Sequence, residues 1–355
     1  MTIQCDERGF DAGDARLRWD ELLAVGIRTT SDGPFAADCF WQFLLRGGAV
    51  MELPAAQLDG EALERVLAEL PGIDLREVVT AMGSVEERVF RVWHAEESAW
   101  QWDTAPLRAR FIALVERLGG HGDRSSQAFA RLETAWSAPH RRYHDREHLL
   151  DCLRELDGVR RESGGPASGT AAQGTRADVA ELALWYHDAV YDPGRRDSEE
   201  LSARLLLAEA AASNIPSRLA LASAACVRAT AHGAPRAATD RAADALHAAT
   251  SASSEPPIDL VNDIDLAILG RDDLRFLEYE YSVEEEYAHV WSPYYFVARG
   301  RFLEALLAAP SIYRTRHFRA RYEARARAHL EGLLASSRYR LHRWLKRARR
   351  CFGGA

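Results

Sequence analysis

The sequence predicts a mainly α protein, an all-helical bundle preceded by a small α+β domain. Three observations carry that prediction. From about residue 101 onward the apolar residues recur almost entirely at helical spacing, in LRARFIALVERL, REHLLDCLRELDGV, DVAELALWYHDAV and SEELSARLLLAEAAAS. Before that point, short aromatic and β-branched stretches mix with acidic helical ones. At 355 residues the chain is long enough for two domains of ordinary size. The expected division is a small α+β domain over residues 1–100, the helical domain over 101–337 and a basic end over 338–355.

Taken in order, CFWQFLLRGGAVMELP reads as two strands around the turn Arg46-Gly47-Gly48, because a Gly-Gly pair is flanked by strand-favouring residues. LDGEALERVLAEL and DLREVVTAM follow with helical spacing, Asp59 and Asp74 being placed as N-caps. Two stretches interrupt the helical part. SGGPASGTAAQGT (163–175) and the Ala/Ser/Thr-rich run 234–257 have the composition of loops inserted between helices. No internal repeat is visible. In the basic end RYRLHRWLKRARRCFGGA, Leu341, Trp344 and Leu345 are spaced as one apolar face of a last helix docking on the bundle. Contact of that end with nucleic acid or a membrane surface is the alternative.

Composition narrows the function. With 47% hydrophobic and 28% charged residues the chain is neither disordered nor fibrous. No run of 18 apolar residues suggests a membrane span, and MTIQCDERGF lacks the basic and apolar stretches of a secretory signal, so a cytoplasmic location is expected. Cys5, Cys39, Cys152, Cys226 and Cys351 are scattered, odd in number and never paired as CxxC, the pattern of reduced thiols rather than of disulfides or a structural zinc. A net charge of -8 argues against a general nucleic-acid binder. The sole lysine, Lys346, leaves arginine to neutralise any phosphate.

Three segments hold residues able to carry chemistry. In Arg142-Tyr143-His144-Asp145-Arg146-Glu147-His148, an N-cap at Asp145 would put His148 in the first turn of the next helix, fixed in direction. By itself such a histidine is more often a capping or surface residue. In Ala183-Leu184-Trp185-Tyr186-His187-Asp188-Ala189-Val190-Tyr191, an adjacent His and Asp lie inside an apolar helical run, and burying an unpartnered carboxylate costs several kcal/mol that a cation would offset. The third, Ile258 to Gly270, threads Asp263 and Asp265 through apolar residues and ends on a helix-stopping glycine. At 3.6 residues per turn these two aspartates point about 200° apart, so at most one faces a shared site.

Together the segments resemble the HD superfamily of metal-dependent phosphohydrolases, whose pattern is a His, a His-Asp doublet and a distant Asp on separate helices. The resemblance covers about residues 104–334, through RRYHDREHLL, ALWYHDAVYDP, SEELSA, DIDLAILG, EEEYAHV and GRFLEALL. It does not extend to the first hundred residues. It implies that His148, His187, Asp188 and Asp265 hold a divalent ion (Mn, Mg, Co, Ni, Zn or Fe), two imidazoles with carboxylates being a set that suits one. It further implies a second-metal or substrate role for His144 and His232, with Asp263 the weaker candidate for the last ligand. Asp188, Glu199 and Glu200 would handle the proton of a metal-activated water, and Arg142 and Arg301, with Arg228, would meet the charge of a small phosphorylated substrate, nucleotides being the first class to try. The chain departs from the family pattern at Glu284, where an arginine is common, and at Ala308-Ala309-Pro310, where a cation is expected. Two other readings fit the same ligands: a di-iron oxygenase completed by His144 and His232, and a non-catalytic binding or regulatory module with a structural metal.

Overall fold

The computed structural model describes residues 4–12, 15–30, 37–46, 49–58, 60–95, 103–162, 171–231 and 257–344. The chain is mainly helical and divides into two compact units. The first comprises Met1–Gln101 with Asp272–Ser282, the second Trp102–Arg271 with Val283–Ala355. Among the described residues no helix is long and apolar enough to cross a membrane.

The first unit opens on an antiparallel meander, β1 (Gln4–Asp6), β2 (Gly9–Ala12) and β3 (Ala15–Arg18). A four-stranded antiparallel sheet follows, in the order β6 (Val50–Pro54), β5 (Cys39–Leu45), β4 (Leu22–Thr29) and β7 (Arg88–His94). The expected hairpin is β5–β6, in register with Leu44 opposite Val50. Helices α1 (Gly60–Glu69) and α2 (Leu75–Met82) supply Val66, Val78 and Ala81, and the bend after α1 supplies Leu70, to a core with Val25, Ile27, Trp41, Phe43 and Phe90. Asp74 caps α2 through the amides of Arg76 and Glu77, whereas Asp59 lies outside the described residues.

Residues 272–282, expected in the helical domain, group with this sheet. Leu274 is buried with Ala24, Leu44 and Val89, and Leu277 and Tyr281 pack against the same cluster. Arg91 reaches Glu278 at 2.9 Å. Apolar residues on both faces of β4 need covering on both sides, which explains why a helix distant in sequence joins this unit.

The second unit is helical. It begins with α3 (Thr104–Arg117), α4 (Gly122–Trp136), α5 (Arg146–Glu162) and α6 (Ala171–Tyr186). Then come α7 (Ser198–Ala212), α8 (Ser217–Ala229) and α9 (Ile258–Asp265). Next is α10 (Asp273–Glu286), of which Val283 to Glu286 belong here, and the unit continues with α11 (Ser292–Ala308) and α12 (Arg316–Ala335). Central α6 packs against α3, α5, α7, α8 and α9. It starts at Ala171, inside the run read as a loop, because Ala171, Ala172 and Gln173 are strong helix formers. Residues 163–170 and 232–256 of the two expected loops lie outside the described residues.

Close contacts fix the later helices. The 3₁₀ turn Leu266–Gly270 continues from α9, and a Cβ at Gly270 would sit 2.5 Å from the Tyr322 Cβ of α12. Beyond α12, residues 340–344 are helical, but the face expected to dock is outside: Leu341 and Trp344 are exposed. The turn instead buries Tyr339 and His342, the latter so close to Gly300 that a Cβ there would lie 2.6 Å from its ring. A glycine gap on α11 took the place of an apolar stripe. Leu345 and the rest of the basic end lie outside the described residues.

Candidate metal centre

His148, His187, Asp188 and Asp265 arrive at one point from three segments of the helical unit. Asp145 accepts from the amides of Glu147 at 2.9 Å and His148 at 3.4 Å, fixing the first turn of α5. The expected cap therefore sets the direction of His148. His187 and Asp188 lie just past the end of α6 rather than within it. The helix stops there because its last carbonyls are taken by side chains: His187 Nδ1 donates to Leu184 O at 2.8 Å and Trp136 Nε1 to Trp185 O at 3.1 Å. Asp265 closes α9.

The donor atoms crowd together. His148 Nε2 lies 3.0 Å from His187 Nε2, 3.2 Å from Asp265 Oδ1 and 3.7 Å from Asp188 Oδ2. His187 Nε2 lies 3.0 Å from Asp188 Oδ2 and 3.6 Å from Asp265 Oδ1. Since Leu184 O can only accept, Nδ1 of His187 carries a hydrogen, and Nε2 is the ring nitrogen aimed inward. Donors about 2.0–2.2 Å from one ion in a tetrahedral arrangement would stand ~3.3 Å apart. The observed spacings bracket that value. A shared cation therefore fits the chemistry of the set, and buried Trp136 lies beside it, its ring 5.5 Å from that of His187 and tilted 47° to it.

The charges of the set are interlocked. Burial alone would depress the His187 pKa, but Asp188 and Asp265 outweigh it and hold the imidazole well above its ordinary value. For His148 burial wins, and its pKa is lowered. Burial disfavours the Asp188 carboxylate, yet His187 holds its pKa below the usual range.

A second layer orients the loops. Glu286, fully buried at its carboxylate, accepts through Oε1 from the amides of Arg142, Tyr143 and His144 at 2.8, 3.0 and 3.1 Å. Its Oε2 accepts from Tyr191 Oη at 2.6 Å and pairs with His144 Nδ1 at 2.7 Å. Burial works against this carboxylate, and His144 brings its pKa down to about 2. The His144 ring stacks on Tyr191 at 4.2 Å and stands 5.8 Å from the His148 ring. Buried Arg141 donates to the carbonyls of His144 at 2.6 Å and Asp188 at 2.8 Å, tying the loop before α5 to the loop after α6.

Other residues singled out in the sequence stand elsewhere. Asp263 is turned away from the cluster, accepting from the amides of Arg314 at 2.8 Å and Thr315 at 2.7 Å. It anchors the chain entering α12 rather than a metal. Glu200 pairs with Arg228 at 2.6 Å and Arg204 at 2.8 Å, while Glu199 is half-buried in the first turn of α7. Arg142 pairs with Glu285 at 2.7 Å, Glu284 with Arg338, and Arg301 is exposed on α11. His232 lies outside the described residues.

Sequence reasoning set Cys152 aside as an ordinary reduced thiol and passed over Arg141, Tyr191 and Glu286. Cys152 follows His148 by four residues on α5, a spacing that puts both on one helix face. Its thiol lies 3.8 Å from His148 Nε2, and His148, Cys152, His187 and Asp265 each offer a ligand atom within 4.8 Å of the others. That i,i+4 relation was a usable signal. Tyr191 and Glu286 stood inside the segments ALWYHDAVYDP and EEEYAHV, but their roles depend on a meeting of distant loops. Compared with protein-family models, curated proteins and solved structures, the chain finds no match.

Proposed function

We propose that this chain is a metal-dependent hydrolase of phosphate esters or anhydrides, of the HD type. The reading rests on one observation above all: the His187 imidazole and the carboxylates of Asp188 and Asp265 gather within 3.7 Å of His148 Nε2 in a nearly dry site. His148, His187, Asp188 and Asp265 would hold the ion. Once bound, a divalent ion supplies water acidified from ~15.7 toward ~7 and charge to offset a phosphoryl oxygen.

The remaining work falls to the protein. His144, its Nδ1 engaged by Glu286, is left with Nε2 to hold or pass a proton beside the site. Tyr191 fixes the plane of that ring by stacking. Arg142 shares the His144 loop, and its half-exposed guanidinium can exchange Glu285 for a phosphate oxygen. Nucleotides are the first substrates to examine.

The test is elemental analysis of the purified protein with a phosphate-release screen over nucleotides and p-nitrophenyl phosphate in Mn²⁺, Co²⁺, Mg²⁺, Ni²⁺ and Zn²⁺. Wild type should carry an ion and release phosphate, and His187→Ala and Asp188→Ala should do neither. Full metal content and activity in the double variant would overturn the reading.

A further inference from the structure

Burial alone does not explain Cys152. A buried cysteine usually acts as a small apolar filler, and Cys226 on α8, equally enclosed, joins no group of metal-ligating side chains among the described residues. Cys152 is 1% exposed, yet its neighbours are donor atoms. Its sulfur lies 3.8 Å from Nε2 and 4.0 Å from Nδ1 of His148. Sulfur at ~2.3 Å and nitrogen at ~2.0–2.1 Å from one tetrahedral ion would stand about 3.6 Å apart, close to the shorter separation. The other ligand atoms of its group fall within 4.8 Å, a gap that a χ1 adjustment of a short side chain can close.

We propose that Cys152 is a direct ligand, so that the centre selects a thiophilic transition ion, zinc, cobalt or ferrous iron in class, over magnesium. The inference rests on the metal-centre reading above and adds to it the identity of the ion. Magnesium takes oxygen donors and dehydrates reluctantly, and a pocket offering two imidazoles and a sulfur serves it poorly.

The experiment loads reduced, metal-free full-length protein with Co²⁺ and records absorption for wild type, Cys152→Ser, Cys152→Ala and His187→Ala. Zinc and magnesium affinities are then measured by competition with a chelating dye. Wild type should show a sulfur-to-cobalt charge-transfer band in the near ultraviolet that both cysteine variants lack. Zinc affinity in those variants should fall by ~10-fold or more, on the scale that metal-site partners command, with magnesium affinity unmoved. Cobalt bound by wild type with ligand-field bands but no sulfur band, or zinc affinity equal in all three folded proteins, overturns the Cys152 assignment and leaves the centre intact. Failure of wild type to take up cobalt or zinc at all overturns the metal centre itself, and with it this inference. The serine variant, nearly isosteric, separates loss of the ligand from damage to packing.

Discussion

Two buried polar clusters of the helical unit invite comparison. In one, Glu181 of α6 is fully enclosed and meets Arg110 at 2.6 Å, Arg160 at 2.6 Å and Arg117 at 3.5 Å, with Asp157 and Asp178 completing the ring. In the other, Asp188 just past the end of the same helix and Asp265 at the end of α9 face imidazole nitrogens. Guanidinium groups carry a permanent charge, so the first cluster is neutralised by the chain itself. Imidazoles can give up a proton, and then present a lone pair to a cation. The difference teaches that burial of charge is not by itself a sign of function. What distinguishes the second cluster is the kind of partner its carboxylates meet, one that also coordinates cations.

If the clusters differ in this way, their variants should separate stability from metal binding. The largest effect is expected at Glu181→Ala, which leaves Arg110 and Arg160 facing each other. Removal of one partner from a buried pair costs about 3–5 kcal/mol, so the urea midpoint should drop sharply while the folded protein keeps its zinc affinity. Lost zinc affinity in folded Glu181→Ala would break the comparison. Next comes Glu286→Gln, which offers one carbonyl oxygen where two carboxylate oxygens serve three amides, Tyr191 and His144. Its zinc affinity should fall ~10–100-fold, as for other outer partners of a metal site, read by dye competition.

Asp263→Asn should cost about 1–3 kcal/mol in thermal or urea unfolding, because Arg314 and Thr315 lose part of their acceptor, and leave metal binding unchanged. Its neighbour Asp265 should show the reverse. The smallest effect concerns acid. Burial tends to raise the pKa of Glu181, but Arg110 and Arg160 outweigh it and hold it below the ordinary 4.5. A carboxyl with a lowered folded pKa lends stability that is complete above the unfolded value and is lost as pH falls through the folded one. Far-ultraviolet circular dichroism should therefore show stability declining as pH drops below about 4.5, with a shallower decline in Glu181→Ala.

The helical periodicity of the second unit, the β5–β6 hairpin and the Asp74 and Asp145 caps were all legible, because each depends on residues near one another in the chain. The residue types of the three segments also pointed to His148, His187, Asp188 and Asp265, and these four side chains do come together. What stayed hidden depends on meetings across the sequence. Strand β4 needed cover from residues 272–282, and Glu286 found its partners in residues 142–144. Asp263 and Asp265 show the limit: helical angle established that only one could face the centre, but the role of the other awaited the amides of Arg314 and Thr315.

Gly270 touches none of the candidate ligands, yet it follows directly on the segment that ends in Asp265, and its bare backbone lets Tyr322 come within reach of it. A methyl group there would have to push α12 and the end of α9 apart, displacing a carboxylate it never meets. In any descendant or cousin of this chain, the absence of a side chain at that place is thus a mark to look for when the polar residues alone leave the kinship ambiguous.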